Sequence, residues 1–285
     1  MIKQNTFLLL SILLILSCTQ EKESLLFSSS RNGNSDVFIM DIDGENKKAL
    51  TQTDFEEWGP TWINKNEISF LRQTEDSIFR VKLNLKTKKE SIIKHPTNCA
   101  LDDKNILYSY ELELYPCKND IFIFNSITNE TINITDNLDG VANYPSWSHD
   151  GKSVVFTSNH LGTNELFEYK VDSKKTHQLT DSKSNNERGE LSPNRKFLVY
   201  SSDYFNKGNQ DIVLKDLESG DIKNISESSG MELIARFSNN GKKLYYGSNK
   251  DDNWEIYVYD LDTKSQTRLT NNQEFDGDPR ILKIK

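Results

Sequence analysis

The sequence predicts an all-β fold, a six-bladed β-propeller of four-stranded blades whose ring is closed by the C-terminal strand joining the first blade. Three observations predict it. An acidic residue followed by two apolar ones recurs as Asp36-Val37-Phe38, Asp120-Ile121-Phe122, Glu165-Leu166-Phe167, Asp211-Ile212-Val213 and Glu255-Ile256-Tyr257. With the degenerate copy Ser77-Ile78-Phe79, the spacings are 41, 43, 45, 46 and 44 residues. A second phrase keeps the same period: Leu50-Thr51, Ile92, Ile134-Thr135, Leu179-Thr180, Ile225-Ser226 and Leu269-Thr270. A third set opens the blades at Trp62, Ala100, Trp147, Leu191, Phe237 and Ile281. A period of about 40 to 50 residues with four short apolar runs corresponds to one propeller blade per repeat.

The chain divides into residues 1–17, 18–24 and 25–285. Lys3 precedes the run Phe7 to Leu16, which ends at Ser17-Cys18. That run is shorter than the roughly 20 apolar residues a membrane span needs, and a charged start with a small-residue cleavage site marks a secretory signal. Leu14-Ile15-Leu16-Ser17-Cys18 resembles the bacterial lipobox. The resemblance implies lipid attachment at Cys18 after removal of residues 1–17, with Thr19 to Ser24 as a polar tether. The expected location is a bacterial envelope membrane, the outer membrane foremost, with the protein at its periplasmic face or at the cell surface.

The first blade starts at Leu25-Leu26-Phe27 and lacks an opening strand, which Pro279 to Ile284 supplies from the far end of the chain. Such closure removes an open sheet edge. Blades two and three are irregular. They open at Trp62 and Ala100 without an Asp-Gly turn, and an insert from Glu111 to Lys118 lengthens the third. In the later blades Asp150-Gly151 and Asn240-Gly241 are hairpin-turn dipeptides, Asn194-Arg195 takes the same place, and Asp43-Gly44 and Ser219-Gly220 mark other hairpins. The strands themselves, such as Glu255 to Tyr259, are β-branched and aromatic. No helical apolar period follows residue 24.

The phrases Pro145-Ser146-Trp147-Ser148-His149-Asp150-Gly151, Phe27-Ser28 to Phe38, and Glu255-Ile256-Tyr257 with Leu269-Thr270 resemble the TolB-type repeat, which is shared with the dipeptidyl-peptidase N-terminal propellers. The resemblance covers nearly the whole chain after the tether. It implies protein binding in the periplasm or at the cell surface, usually across one face of the ring. No α/β domain precedes the repeats in this sequence, so a stand-alone propeller lipoprotein is expected.

A net charge of −8 excludes an electrostatic nucleic-acid or anionic-lipid binder. The residue five places before each opening landmark approaches the channel at the blade-to-blade connections. That position and its neighbours form a candidate binding rim of Glu57, Trp58, His95, Asn143, Tyr144, Glu187, Glu232, Asp276 and Asp278. Two readings of its carboxylates stay open. They form an acidic ring for a basic partner group or for Ca²⁺ in the channel, or they serve local turn chemistry in solvated loops. Trp58 and Tyr144 are either anchors for a partner or packing between blades. Cys99 and Cys117, both placed in the third blade, are either a disulfide or two unrelated thiols. No Cys-x-x-Cys, His-x-x-x-His or Gly-x-Ser-x-Gly pattern occurs, so no confident metal site and no catalytic residue is assigned. The expected function is non-enzymatic capture of an envelope protein or peptide through the channel face. The alternative is a glycan-binding or glycan-processing propeller, glycosidase- or lyase-like, that uses the acidic mouth.

Overall fold

The computed structural model describes residues 23–94, 99 and 104–283. Blade 1 holds β1 to β3 (Ser24–Ser29, Asp36–Asp41, Lys48–Ala49), and blade 2 holds β4 to β7 (Glu56–Asn64, Glu67–Gln73, Ile78–Asn84, Glu90–Ile93). Blade 3 holds β8 to β11 (Leu107–Ser109, Leu112–Cys117, Asp120–Asn125, Glu130–Asn133), and blade 4 holds β12 to β15 (Ala142–Trp147, Ser153–Ser158, Glu165–Lys170, Lys175–Gln178). Blade 5 holds β16 to β19 (Asn186–Leu191, Phe197–Ser202, Asp211–Asp216, Ile222–Asn224), and blade 6 holds β20 to β23 (Glu232–Phe237, Lys243–Ser248, Glu255–Asp260, Gln266–Arg268). The last strand, β24 (Asp276–Ile281), pairs antiparallel with β1 and completes blade 1, so the two ends of the repeat array meet in one sheet. No helix occurs among the described residues.

The repeated phrases turn out to be one hydrogen-bonding device. The Thr or Ser of each closing phrase accepts the backbone N–H of the residue after the blade's acid, at 2.9 Å for Thr51 and Val37, 3.1 Å for Thr135 and Ile121, 2.8 Å for Thr180 and Leu166, 3.0 Å for Ser226 and Ile212, and 2.9 Å for Thr270 and Ile256. In blades 1, 3 and 4 the same hydroxyl also donates to the acid itself. The fourth strand is thereby pinned to the third at a buried point, where an unpaired amide would be costly. In blade 2, Ile92 on the fourth strand pairs with Val81, and no counterpart of this bond occurs among the described residues.

The hairpin turns are built by a second small device. Ser148 Oγ donates to Asp150 Oδ1 at 2.6 Å and accepts from Ser153 N–H at 3.0 Å. Ser192 with Asn194 and Ser238 with Asn240 repeat this arrangement. The residue after the Asp or Asn has positive φ (Gly151 69°, Arg195 59°, Gly241 71°), which is where glycine is favoured.

Core clusters fill the seams between neighbouring blades, as with Val199, Ile212 and Leu214 of blade 5 against Phe237, Leu244 and Tyr246 of blade 6. Trp147 is buried, as expected. Trp62 is half-buried at its seam. Each indole N–H donates to an inner-strand carbonyl of the preceding blade, Trp147 to Leu107 at 3.2 Å and Trp62 to Arg280 at 3.1 Å.

The third blade corrects the sequence reading. Ala100 lies outside the described residues. The opening strand is Leu107–Ser109, where Tyr108 pairs with Glu113. The expected insert from Glu111 to Lys118 is instead the blade's second strand, and the extra length precedes the inner strand. The apolar pair Ala100-Leu101 mimics the landmark because this blade has no Asp-Gly turn to set its phase.

Candidate functional site

The inner strands β4, β8, β12, β16, β20 and β24 neighbour one another around the ring and surround a central channel. Five of them share a bulge. Gly59, Tyr144, Arg188, Ile234 and Asp278 all have positive φ, between 50° and 61°, and each sits at the register shift of its strand. A bulge re-aims the side chains on either side of it. We call the end where the blade-to-blade connections run the connection face, and the opposite end the hairpin face.

The predicted rim acids sit at this connection end, but they do not form an open ring. Glu57, Glu232 and Asp276 are completely buried at the first or second position of their inner strands. Glu57 is bonded to the Arg72 guanidinium, which also forms a two-point pair with Glu90 at 2.9 and 3.0 Å. Glu232 accepts from the Ser228 and Ser248 hydroxyls. Asp276 accepts from Arg31 at 2.6 Å and from Asn272 at 2.7 Å. Burial pushes the carboxyls of Glu232 and Asp276 above their ordinary range, partly offset by these donors. The physical reason is alternation. Asp276 pairs with Ser29, and Glu232 with Ser248, as the first rungs of the blade, so their side chains enter the seam between blades.

The other rim residues are half-buried at or near the mouth. Trp58, Asn143 and Glu187 follow the buried position by one. Tyr144 occupies the bulge, with the Arg188 guanidinium 3.9 Å from its ring centroid, and Arg188 is ion-paired to Glu187. Asp278 accepts from Ser28 Oγ at 3.3 Å. His95 and Cys18 lie outside the described residues. Cys99 and Cys117 form a disulfide with Cα atoms 5.6 Å apart, and Cys117 ends the second strand of blade 3 rather than lying in a loop.

Sequence reasoning missed the most exposed part of this face. Of the ten large apolar side chains exposed among the described residues, six lie on it: Phe55, Val141, Leu161, Tyr204, Phe205 and Phe275. Phe55, Val141 and Phe275 are in the connections just ahead of the inner strands. Leu161, Tyr204 and Phe205 are in second-to-third-strand loops. Those loops reach the same end, because Ser158 and Ser202 pair with Ala142 and Asn186, the first residues of β12 and β16. Tyr204 and Phe205 pack edge to face at 5.0 Å, and a cleft of about 290 Å³ opens nearby among Glu187, Arg188, Met231 and Leu233. The available signal was a one-residue shift: Val141 and Phe275 immediately precede the buried ring of Ala142 and Asp276.

Among the described residues no three His, Cys, Asp or Glu side chains converge to hold a metal ion. His149 bonds Asn239, His160 bonds Ser158, and His177 is exposed on an outer strand. The rim carboxylates are held by internal donors.

This geometry defines a closed six-bladed propeller with one apolar-studded face. Residues 192–280 match the family of the dipeptidyl peptidase IV (DPP IV) N-terminal region. A protein TolB homolog from Chlorobium chlorochromatii (strain CaD3) is 25% identical over 129 residues, 45% of this chain and 28% of that protein. The match therefore spans less than a third of the relative's length. TolB from Acinetobacter baumannii superposes with a TM-score of 0.75 at 19% identity, covering 91% of this chain and 66% of that one. An oligogalacturonate lyase from Vibrio parahaemolyticus superposes at 0.54 with 10% identity, covering 79% and 72%. At such identities the structural likenesses show the fold alone. The chain is a TolB-like β-propeller protein.

Proposed function

We propose that this protein is a non-enzymatic envelope lipoprotein that captures a protein or peptide partner on its connection face. One observation carries the reading: six exposed large apolar side chains, aromatic ones prominent, gather on that face of a chain that is otherwise strongly polar. Tyr, Trp and Phe are enriched at protein interfaces, and Tyr204 and Phe205 pack together on this face. Trp58 and Tyr144 extend the surface into the channel mouth. The lipid on Cys18 holds the ring at the membrane, and export to the envelope accords with the TolB homolog. The rim carboxylates act as internal braces rather than as the partner's contact.

The test is affinity capture from the native envelope, read by mass spectrometry. It compares the wild-type chain with Tyr204→Ser/Phe205→Ser and with Phe55→Ser/Phe275→Ser. A protein retained by the wild type and lost from both variants supports the reading. Equal retention on all three removes this face from consideration.

A further inference from the structure

The hairpin end of the channel holds a separate cavity of about 540 Å³. Trp62, Tyr108, Trp147 and Phe237 supply its apolar walls. Its charged lining is Lys65, Arg236, Arg280 and Lys283 against one carboxylate, Glu190, so four cations face one anion in a chain whose net charge is −8.

The pairing inside the cavity leaves cationic charge over. Glu190 Oε2 lies 3.7 Å from Arg236 Nε and 3.5 Å from Lys283 Nζ, so two cations share it. Its other oxygen accepts the Phe237 N–H at 3.1 Å. Arg236 is only 6% exposed. One of its terminal nitrogens donates to the Ala235 carbonyl at 2.9 Å, while its Nε has no hydrogen-bond partner. Arg280 makes no ion pair or side-chain hydrogen bond among the described residues, and Asp278 and Glu190 act on it only at longer range. Burial, reinforced by Arg280, pushes Arg236 down to about 9, which leaves it charged at neutral pH. Burial likewise lowers Arg280 and Lys283.

A buried cation without a matching anion raises the free energy of the folded state, and a bound oxyanion would relieve that. Planar guanidinium forks suit carboxylate and phosphate oxygens, and aromatic walls suit an apolar body. We propose that this cavity binds an organic oxyanion, a carboxylate or a phosphate ester, with its head group on Arg236 and Arg280 and its apolar body against Trp62, Trp147 and Phe237. The site lies at the opposite end of the channel from the docking face and stands or falls independently of it.

Calorimetric titration of the full chain with phenylacetate, phenyl phosphate and the neutral phenylacetamide tests the site. The expected result is that at least one anion binds at least about tenfold more tightly than phenylacetamide, and that Arg280→Gln weakens it by about tenfold or more. The better of the two anions identifies the head group. Tyr204→Ser/Phe205→Ser leaves the binding unchanged, which separates this site from the docking face. Arg236→Met is the second variant, and if it fails to fold, the more accessible Arg280→Gln decides alone. Anions that bind no better than phenylacetamide, or full affinity in Arg280→Gln, would overturn the proposal.

Discussion

The Thr180 hydroxyl lies 2.5 Å from Glu165 Oε2 and 2.8 Å from the Leu166 amide nitrogen, donating to the first and accepting from the second. Glu165 also accepts from Asn186 at 2.8 Å, the first residue of the next blade's inner strand. One threonine therefore links the fourth strand, the third strand and the neighbouring blade. Thr180→Val leaves a buried amide and a buried carboxylate short of a partner each, and a loss of about 1 to 3 kcal/mol is expected. Thr180→Ser retains most of it. Urea unfolding midpoints at constant slope check both variants.

Glu232 gives a pH signature. Burial is the largest influence on its carboxyl and raises it above the ordinary 4.5, and nearby Asp211 adds to that, while Ser228 and Ser248 pull the other way. The folded protein thus holds this proton more tightly than the unfolded chain. The contribution is fully present below about pH 4 and is lost as pH rises through the raised value. Glu232→Gln cannot titrate and still accepts from both serines. The stability of wild type relative to Glu232→Gln should therefore fall as pH climbs from about 4 toward neutrality. A difference independent of pH would contradict the account.

The Cys99–Cys117 disulfide closes a separation of 18 residues. Cys117 pairs with Asp120 at the rung where Ser29, Ser158, Ser202 and Ser248 pair with the acids of other blades. Cys117→Ser therefore places the fold's own usual residue there and removes only the crosslink. Chain entropy predicts a loss of about 3 kcal/mol. Denaturant unfolding with and without reductant should show the same loss in the wild type and none in the variant.

Trp147 joins blades 3 and 4 through its bond to the Leu107 carbonyl and its place in their shared core. Trp147→Phe removes the bond and leaves a void, for an expected loss of about 1 to 3 kcal/mol. Ile92→Ser on the exposed outer strand of blade 2 should stay within about 0.5 kcal/mol. Thermal unfolding of the two variants side by side checks the contrast.

Blade number, ring closure and strand phase in blades 4 to 6 were legible because the repeated residues are the ones that make the internal hydrogen bonds. Asp-Gly and Asn-Gly fix the turns, and the acid–threonine pairs fix the strand ends. Blade 3 keeps its acid–threonine pair, Asp120 with Thr135, and only its opening strand was misphased, where the turn dipeptide is missing. The burial of three rim acids was not legible for a different reason. In a strand, neighbouring positions face opposite ways, and the repeat alone does not say that Glu57, Glu232 and Asp276 take the side that enters the seam. The exposed loop aromatics Tyr204 and Phe205 belong to no repeat and carry no periodic signal. The cation-lined cavity was equally hidden, because Glu190, Arg236 and Arg280 occupy one channel position of three successive inner strands and are 44 to 46 residues apart in the chain.

The most direct measurement is site-specific photocrosslinking in the native envelope. A photoreactive side chain replaces Tyr204 or Phe275 on the connection face, and in parallel Ile92 or Ile132 on the outer strands. One partner should crosslink from positions 204 and 275 and be absent at 92 and 132. Crosslinks to a partner from 92 and 132 alone would place docking on the outer blade edges and contradict docking on the connection face.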